Sequence, residues 1–330
     1  MGSIQRRPSG KYSAKVRKSG FPAQSRTFLT RADAQRWIAE TEAAMSRACF
    51  VDTATARSLL LSDALHRYER EVTPTKRSHE SEAIRLRALA RDSLASYSLA
   101  NLTPAVLAQW RDRRLSTVSG STVNRELNLL HHVLEVARKD WAVAMPTYPV
   151  ADVRRPRSNP GRTRRLSIAE QSLLLYECKR ARSWWLAPIV ELALHTGMRQ
   201  SEVRTLDWRS IDLERRIVIL EAAATKTMTM RGVPLSSRCI AVLGSLPGDR
   251  SGPVFPGVTR NAAKLAFDRA RKRAGLTDFR FHDLRHEATT RLFELGLSAT
   301  EVQSVTGHRT TAMLARYTHL QAADLAKKLG

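Results

Sequence analysis

The chain is poor in cysteine, has no long apolar run and is short of acid for its size. Three cysteines (Cys49, Cys178 and Cys239) lie scattered over 330 residues, without a CxxC pair or a metal-ligand spacing. An odd, dispersed set excludes a disulfide framework, argues against structural zinc, and fits reduced and buried thiols. No apolar stretch approaches the ~18 residues that a membrane helix needs. The opening MGSIQRRPSGKYS lacks the apolar centre of a secretory signal, so the expected location is the cytoplasm. There is no internal repeat and no low-complexity segment. The acid deficit speaks loudest: 31 Asp+Glu stand against 55 Lys+Arg, a formal net charge of +24. Self-repulsion on that scale is relieved by a polyanion. Nucleic acid is the first choice, because neutralised phosphates release their counterions, and the cytoplasmic location is then nucleoid-associated. An anionic membrane is second, and no basic amphipathic helix with a Trp/Phe face supports it.

What is present divides along the chain. The first 32 residues hold eight Arg/Lys and no acid. In KYSAKVRK (Lys11–Lys18), Tyr12, Ala14 and Val16 alternate with Lys11, Ser13, Lys15 and Arg17. Period two predicts a strand with one apolar and one basic face, and AQSRTFLT (Ala23–Thr30) reads as its partner. Thr30 with Asp33 then opens a helix from Arg31 to about Ser46, with Ala34, Trp37, Ile38 and Ala44 toward the sheet. The basic face, with Lys11, Lys15, Arg17 and Lys18, suits a major groove. Residues 58–145 read as a helical bundle. Leu59, Leu60, Ala64, Leu65 and Tyr68 suit one helix, and Ile84, Leu86, Leu89 and Ala90 another. Thr103-Pro104 opens a third, and Ser121–Trp141 is a long amphipathic fourth. His131 and His132 are adjacent helix positions, which point apart and make a poor ligand pair.

VRRPRSNPGRTRRL (Val153–Leu166) has six arginines, two prolines, a glycine and no acid. It reads as a linker, with Arg154, Arg155, Arg157, Arg162, Arg164 and Arg165 laid on phosphates; a solvated tether is the alternative. From about residue 166 a larger domain begins with the capping box Ser167/Glu170 and runs on in helical sequence. RIVILEAAATKTMTMRGVPLS (Arg216–Ser236) changes to β-branched residues around Ala-Thr-Lys-Thr, predicting a hairpin or three-stranded sheet with Lys226 near a turn. Helix returns from Asn261, with a second capping box at Ser298/Glu301.

Within this domain Arg199, Lys226, His282, Arg285, His308 and Tyr317 are each unremarkable alone: a surface arginine, a hairpin lysine, a helix-start histidine, a tyrosine on a helix face. As a set they fit one chemistry. Two arginines hold a tetrahedral phosphate through paired, charge-assisted hydrogen bonds. Histidines donate to its other oxygens or move protons. A lysine can protonate a leaving alkoxide. A tyrosine becomes a nucleophile when guanidinium charge and a base favour its phenolate. Such a set needs no metal and no other cofactor, because cations stabilise the developing charge.

HTGMRQSEV, TKTMTMRGVPL, FHDLRHEATTRL and VTGHRTTAMLARYTH resemble the signature boxes of the tyrosine recombinase (phage integrase) family. They stand in the family's order from about residue 166 to the end, and the nine-residue step from His308 to Tyr317 is also the family's. RLFELGLS and RYTHL add a secondary resemblance to shufflon-type DNA invertases. The resemblance implies a mainly α fold with small antiparallel sheets (α+β), a multidomain C-shaped DNA clamp with a catalytic domain of this family. Its parts would be an arm-type DNA-binding module (1–55), a helical, SAM-like core-binding domain (58–150), the basic linker (151–165) and the catalytic domain (166–330). It implies that Tyr317 attacks the scissile phosphate to form a 3′-phosphotyrosyl bond, and that Arg199 and Arg285 clamp the non-bridging oxygens. By the same resemblance His308 hydrogen-bonds the phosphate, His282 accepts the tyrosine proton, Lys226 is the general acid (with Arg231 the nearby alternative), and Glu202 orients its neighbours. The energy of the broken phosphodiester stays in the tyrosyl ester, so rejoining needs no ATP.

The implied partners are double-stranded DNA at specific recombination sites, sister copies in a homotetramer, and accessory DNA-bending or directionality proteins. The tail Leu320–Gly330 reads as a helix that docks on a neighbouring subunit or in cis. The N-terminal module favours integration and excision of a mobile element; the alternative of the same chemistry is a DNA invertase. From a different class, a non-catalytic DNA-binding regulator explains the charge and leaves the six catalytic-type side chains without a reason. A metal-dependent nuclease lacks a carboxylate cluster, and a relaxing topoisomerase has no use for a sequence-reading module.

Overall fold

The computed structural model describes residues 2–47, 52–159, 161–162, 164–221 and 230–317. Lys226, Cys49 and the tail 320–330 lie outside these residues. The fold is mostly helical with small antiparallel sheets, and the chain divides into two compact units, residues 1–160 and 161–330.

The first unit opens with an antiparallel sheet in the order β1 (Gly2–Arg6), β2 (Tyr12–Val16), β3 (Gln24–Phe28). β2 and β3 fall where the alternation places them; β1 is an added edge strand that its mixed sequence did not announce. Ala14 and Val16 are fully buried, whereas Lys15 and Arg17 are exposed. Helix α1 (Arg31–Ser46) starts at Thr30, whose hydroxyl accepts from the Asp33 N–H at 3.2 Å, and packs across the sheet with Ala34 and Met45 buried. β1 runs so close to α1 that a Cβ on Gly2 would fall 2.2 Å from Ile38. Lys18 is partly engaged by Ser46, 2.9 Å away.

The short α2 (Ala54–Ser58) leads to a bundle of α3 (Leu61–Glu71), α4 (His79–Ala90), α5 (Pro104–Leu115) and α6 (Gly120–Lys139). Its core includes Leu65, Tyr68, Leu86, Leu107, Leu127, Leu130 and Leu134, each aliphatic side chain stabilising by roughly 1.5–3 kcal/mol on full burial. Two of the expected inward residues, Leu60 and Ile84, face out, because the first caps α3 and the second lies on α4's far side. α6 starts one residue before the predicted Ser121, with Ser119 as its cap. His131 and His132 point apart as adjacent positions must: Nδ1 of His132 meets the Tyr68 hydroxyl at 2.6 Å, and that of His131 meets Tyr148 at 3.2 Å.

The predicted linker is not a free tether within the described residues. Its first half lies along α6: Asn124 Nδ2 donates to Pro156 O at 2.8 Å, Arg155 Nη1 donates to Asn128 Oδ1 at 2.9 Å, and Asn159 N donates to Ser121 Oγ at 3.1 Å. Arg154 and Arg157 are exposed.

The second unit is organised around α8 (Leu186–Thr196), which is apolar on almost every side and buried along most of its length. α7 (Ile168–Lys179), α9 (Gln200–Arg204), α10 (Ser237–Gly244), α11 (Arg260–Arg273) and α12 (Phe281–Glu294) surround it. The Ser167/Glu170 and Ser298/Glu301 capping boxes form as predicted. β4 (Ile211–Asp212), β5 (Ile217–Leu220) and β6 (Arg231–Pro234) make the expected three-stranded antiparallel sheet. α13 (Ala299–Thr306) and a 3-10 turn at Ala315–Tyr317 close the described chain. Cys178 and Cys239 are buried thiols; burial pushes Cys178 up to about 12, which makes it inert.

The second half of the arginine-rich segment is strapped to α12. Arg162 reaches Asp283 through Nε and Nη2 and Asp278 through Nη1; Arg165 reaches Glu287 through Nε at 2.9 Å and Nη2 at 3.0 Å, and Glu294 at 2.8 Å; Arg164 pairs with Glu170. The three guanidiniums expected on phosphate thus meet carboxylates of their own unit, two of them (Asp283, Glu287) 1% exposed. Burial raises the Glu287 carboxyl, and Arg165, the Leu166 N–H and Arg291 together outweigh it and hold it below the usual range. Arg165→Ala is expected to lower unfolding stability by about 1–3 kcal/mol, the scale of hydrogen bonds to a charged group. The midpoint in urea checks this; an unchanged midpoint would make the strap incidental.

Candidate active site

The site is built where helices stop. α8 ends at Gly197 (φ 65°) and α13 at Gly307 (φ 67°), both left-handed, a conformation that glycine takes without a Cβ penalty. Their carbonyls become anchors. Gly197 O accepts from Nη1 of Arg285 at 2.6 Å, and Gly307 O accepts from Nη2 of Arg199 at 3.1 Å. A helix C-terminus carries the negative end of the backbone dipole, which suits a guanidinium. Gly307 is doubly constrained, since a Cβ there would lie 3.0 Å from Nη1 of Arg231.

Between the arginines lies one carboxylate. Glu202, 1% exposed, sits in the first turn of α9. It accepts from the Arg199 N–H and Nη1, each at 2.8 Å, and from Arg231 Nη1 at 3.2 Å and Nη2 at 2.6 Å. Arg231 opens β6 and also donates from Nε to Val305 O at 3.1 Å. Burial pushes the Glu202 carboxyl up, but Arg231, the Arg199 N–H and the Arg199 side chain overcome it, so it stays ionised below the usual range.

Arg285 is 3% exposed on α12. Burial and the nearby Arg199 charge push its guanidinium down to about 9, and at neutral pH it remains protonated. It is a desolvated cation beside another cation, and an anion placed between the two relieves both effects. Its Nη2 lies 3.4 Å from Nε2 of His308. The Thr306 hydroxyl donates to Val302 O at 2.6 Å, so at 2.6 Å from His308 Nδ1 its oxygen is left to accept. The Nδ1–H tautomer follows, and it leaves the Nε2 lone pair facing Arg285.

Tyr317, 8% exposed, packs on Val302 and Leu314. Its ring lies 6.2 Å from that of His308 and 5.6 Å from that of His286. The Tyr317 hydroxyl is hydrogen-bonded to Nδ1 of His286. His282, the expected proton acceptor, is exposed one turn earlier, its ring edge-on to His286 at 4.8 Å.

The fold thus brings together Arg199, Glu202, Arg285, His308 and Tyr317, from segments far apart in sequence, and sets His282 beside them. The described residues do not include Lys226. Sequence reasoning named Arg231 only as the alternative to Lys226 and gave His286 no role. In the structure Arg231 is the buried partner of Glu202, and the β6 alternation that buries Arg231 and Val233 carried that signal. His286 is four residues after His282, on the same helix face.

Residues 164–324 match the phage integrase family model. The chain is 38% identical over 282 residues to the shufflon-specific DNA recombinase of Escherichia coli, covering 83% of this chain and 72% of that protein. It is 30% identical over 223 residues to the integrase of Salmonella phage P22, covering 63% and 56%. The Tn1549 transposon integrase, in complex with a circular intermediate DNA, has the same fold, with a TM-score of 0.68 at 18% identity over 82% of this chain and 99% of that one. The chain belongs to the phage integrase family, the tyrosine recombinases.

Proposed function

We propose that Tyr317 is the nucleophile of a site-specific DNA recombinase, attacking a phosphodiester held between Arg199 and Arg285. The phenolic oxygen bonds to phosphorus and the 5′-oxygen leaves, so the strand is held as a 3′-phosphotyrosyl ester. Lys226 protonates the leaving oxygen, and attack by a 5′-hydroxyl reverses the step without ATP. His308, on taking a proton at Nε2, donates to the non-bridging oxygens alongside the arginines. The observation that carries this reading is the pair of anchored guanidiniums, one hydrogen-bonded toward His308, with the Tyr317 ring beside that imidazole. In charge and geometry this is a receptor for a phosphate with a nucleophile next to it.

The partners on this reading are double-stranded DNA and sister copies in a tetramer on two duplexes. Solved relatives in the fold include a lambda integrase dimer on a core site and a tetramer on a Holliday junction. On this reading the exposed Lys11, Lys15, Arg17, Arg154 and Arg157 face backbone phosphates. Integration and excision of a mobile element remains the first reading of the biological event. The identity to a shufflon-specific recombinase supports inversion as the second.

Covalent protein–DNA adducts are expected from cells that express the wild-type chain, and none from Tyr317→Phe, while both proteins retain DNA. Sequencing the attached DNA separates the events: direct repeats or an attachment-like junction mean integration, inverted repeats mean inversion. Adducts that persist in Tyr317→Phe would remove the nucleophile from this residue.

A further inference from the structure

We infer that His286 is the residue that takes the proton from Tyr317 during strand cleavage, with His282 a neighbour that acts through it. This rests on Tyr317 being the nucleophile, as proposed above. His286 Nδ1 is hydrogen-bonded to the hydroxyl that must lose its proton, and the two rings lie 5.6 Å apart and are tilted by 32°. A general base must be in hydrogen-bond reach of the proton it removes, and His286 meets that condition before any DNA is bound.

Helix geometry explains why the task falls to the later histidine. Along α12 three stripes run at a spacing of four. Asp283 and Glu287 turn inward to Arg162 and Arg165. Arg285 turns to Gly197 O. His282 and His286 share the third stripe, their rings edge-on at 4.8 Å. The ion pairs on the first stripe fix the rotation of the helix, and so the direction in which the histidine stripe points. Among the described residues, the charged and titratable groups around His286 include His282 on its own stripe, Tyr317 from the 3-10 turn, His308 across the tyrosine ring, and Arg285 on the adjoining stripe. Arg285 is tied to Gly197 and His308, which leaves the imidazole of His286 facing the hydroxyl.

The step balances as follows. The Tyr317 O–H proton passes to the Nδ1 lone pair of His286, and the phenolic oxygen forms its bond to phosphorus. The bond from phosphorus to the 5′-oxygen breaks, its electron pair leaves on that oxygen, and the oxygen takes a proton from the general acid assigned to Lys226. On rejoining, the 5′-hydroxyl gives up its proton to that group, and the His286 imidazolium returns its proton to the tyrosine.

His286→Asn tests this, because the asparagine side chain places a hydrogen-bonding group close to the Nδ1 position and takes up no proton. The full-length protein is mixed with a short duplex carrying the site recovered from the adducts, and single-turnover adduct formation is timed. A loss of about 10²-fold or more is expected, the scale of general acid–base catalysis, with retention of the duplex unchanged. A second duplex with a 5′-bridging sulfur at the scissile position has a leaving group that needs no proton. It is expected to leave the His286→Asn defect in place and to restore a Lys226→Ala variant. Asparagine at wild-type speed would mean that His286 only positions the tyrosine, and rescue by the sulfur duplex would mean that it serves the leaving group; either overturns the inference. If wild type itself forms no Tyr317-dependent adduct, the reading of the nucleophile has failed instead.

Discussion

With Arg285 replaced by methionine, strand cleavage is expected to fall by about 10³-fold or more, while the chain unfolds at the same temperature or a higher one. The two halves of this result have one cause. Arg285 is buried, stands near the like charge of Arg199, and is held by a single carbonyl and an imidazole. In the DNA-free protein that arrangement opposes folding, because a desolvated cation gains less from these neighbours than from water. With a phosphodiester between the guanidiniums the balance reverses, and the interaction strengthens as charge builds on the non-bridging oxygens in the transition state. Binding energy is thus stored as preorganisation, the familiar opposition of activity and stability. Lysine does not substitute, since it lacks the planar fork that spans Gly197 O and a phosphate together. Thermal unfolding and single-turnover cleavage of Arg285→Met check both halves. A large fall in melting temperature would identify Arg285 as a structural residue.

Glu202→Gln is expected to behave in the opposite sense, costing about 3–5 kcal/mol of stability, the scale for breaking a buried ion pair. The carboxylate is the anion among Arg199, Arg231 and Arg285, and two of these hydrogen-bond to it. Glutamine keeps the shape and removes the charge. Arg231 is then left buried without a counter-charge, with the Val305 carbonyl and at most the neutral amide oxygen as acceptors, and Arg199 loses the charge that aims it past Gly307. The folded state holds the Glu202 carboxyl below its unfolded value. Its stabilisation is therefore complete above the ordinary carboxylate pKa of about 4.3 and is lost as pH falls below it. Urea titrations of both proteins at neutral and acid pH check this. The gap between them is expected to narrow on acidification, and a gap that widens would contradict the assignment.

How much of this was legible beforehand can be said residue by residue. The alternation at Tyr12, Ala14 and Val16 predicted β2, and the capping pairs Thr30/Asp33, Ser167/Glu170 and Ser298/Glu301 predicted helix starts, because both signals are local. β1 has no such alternation and forms through its partners, where Gly2 fits beside Ile38. That Arg199, Arg285, His308 and Tyr317, the residues proposed to act on a phosphate, would gather in one place was legible through the family boxes. The partner choice of each side chain was not, since it is made in three dimensions. Arg162 and Arg165 looked like phosphate ligands because composition counts charges and does not reveal that Asp283 and Glu287, over 100 residues away, need them. His286 was overlooked beside His282 because spacing alone cannot say which of two neighbouring rings meets the tyrosine.

The groups that meet the Tyr317 hydroxyl and anchor Arg199 and Arg285 all come from the second unit, residues 161–330. On the proposed function the attacking residue and the clamp are then parts of one folding unit, and a substitution that loosens the core around α8 dulls both at once.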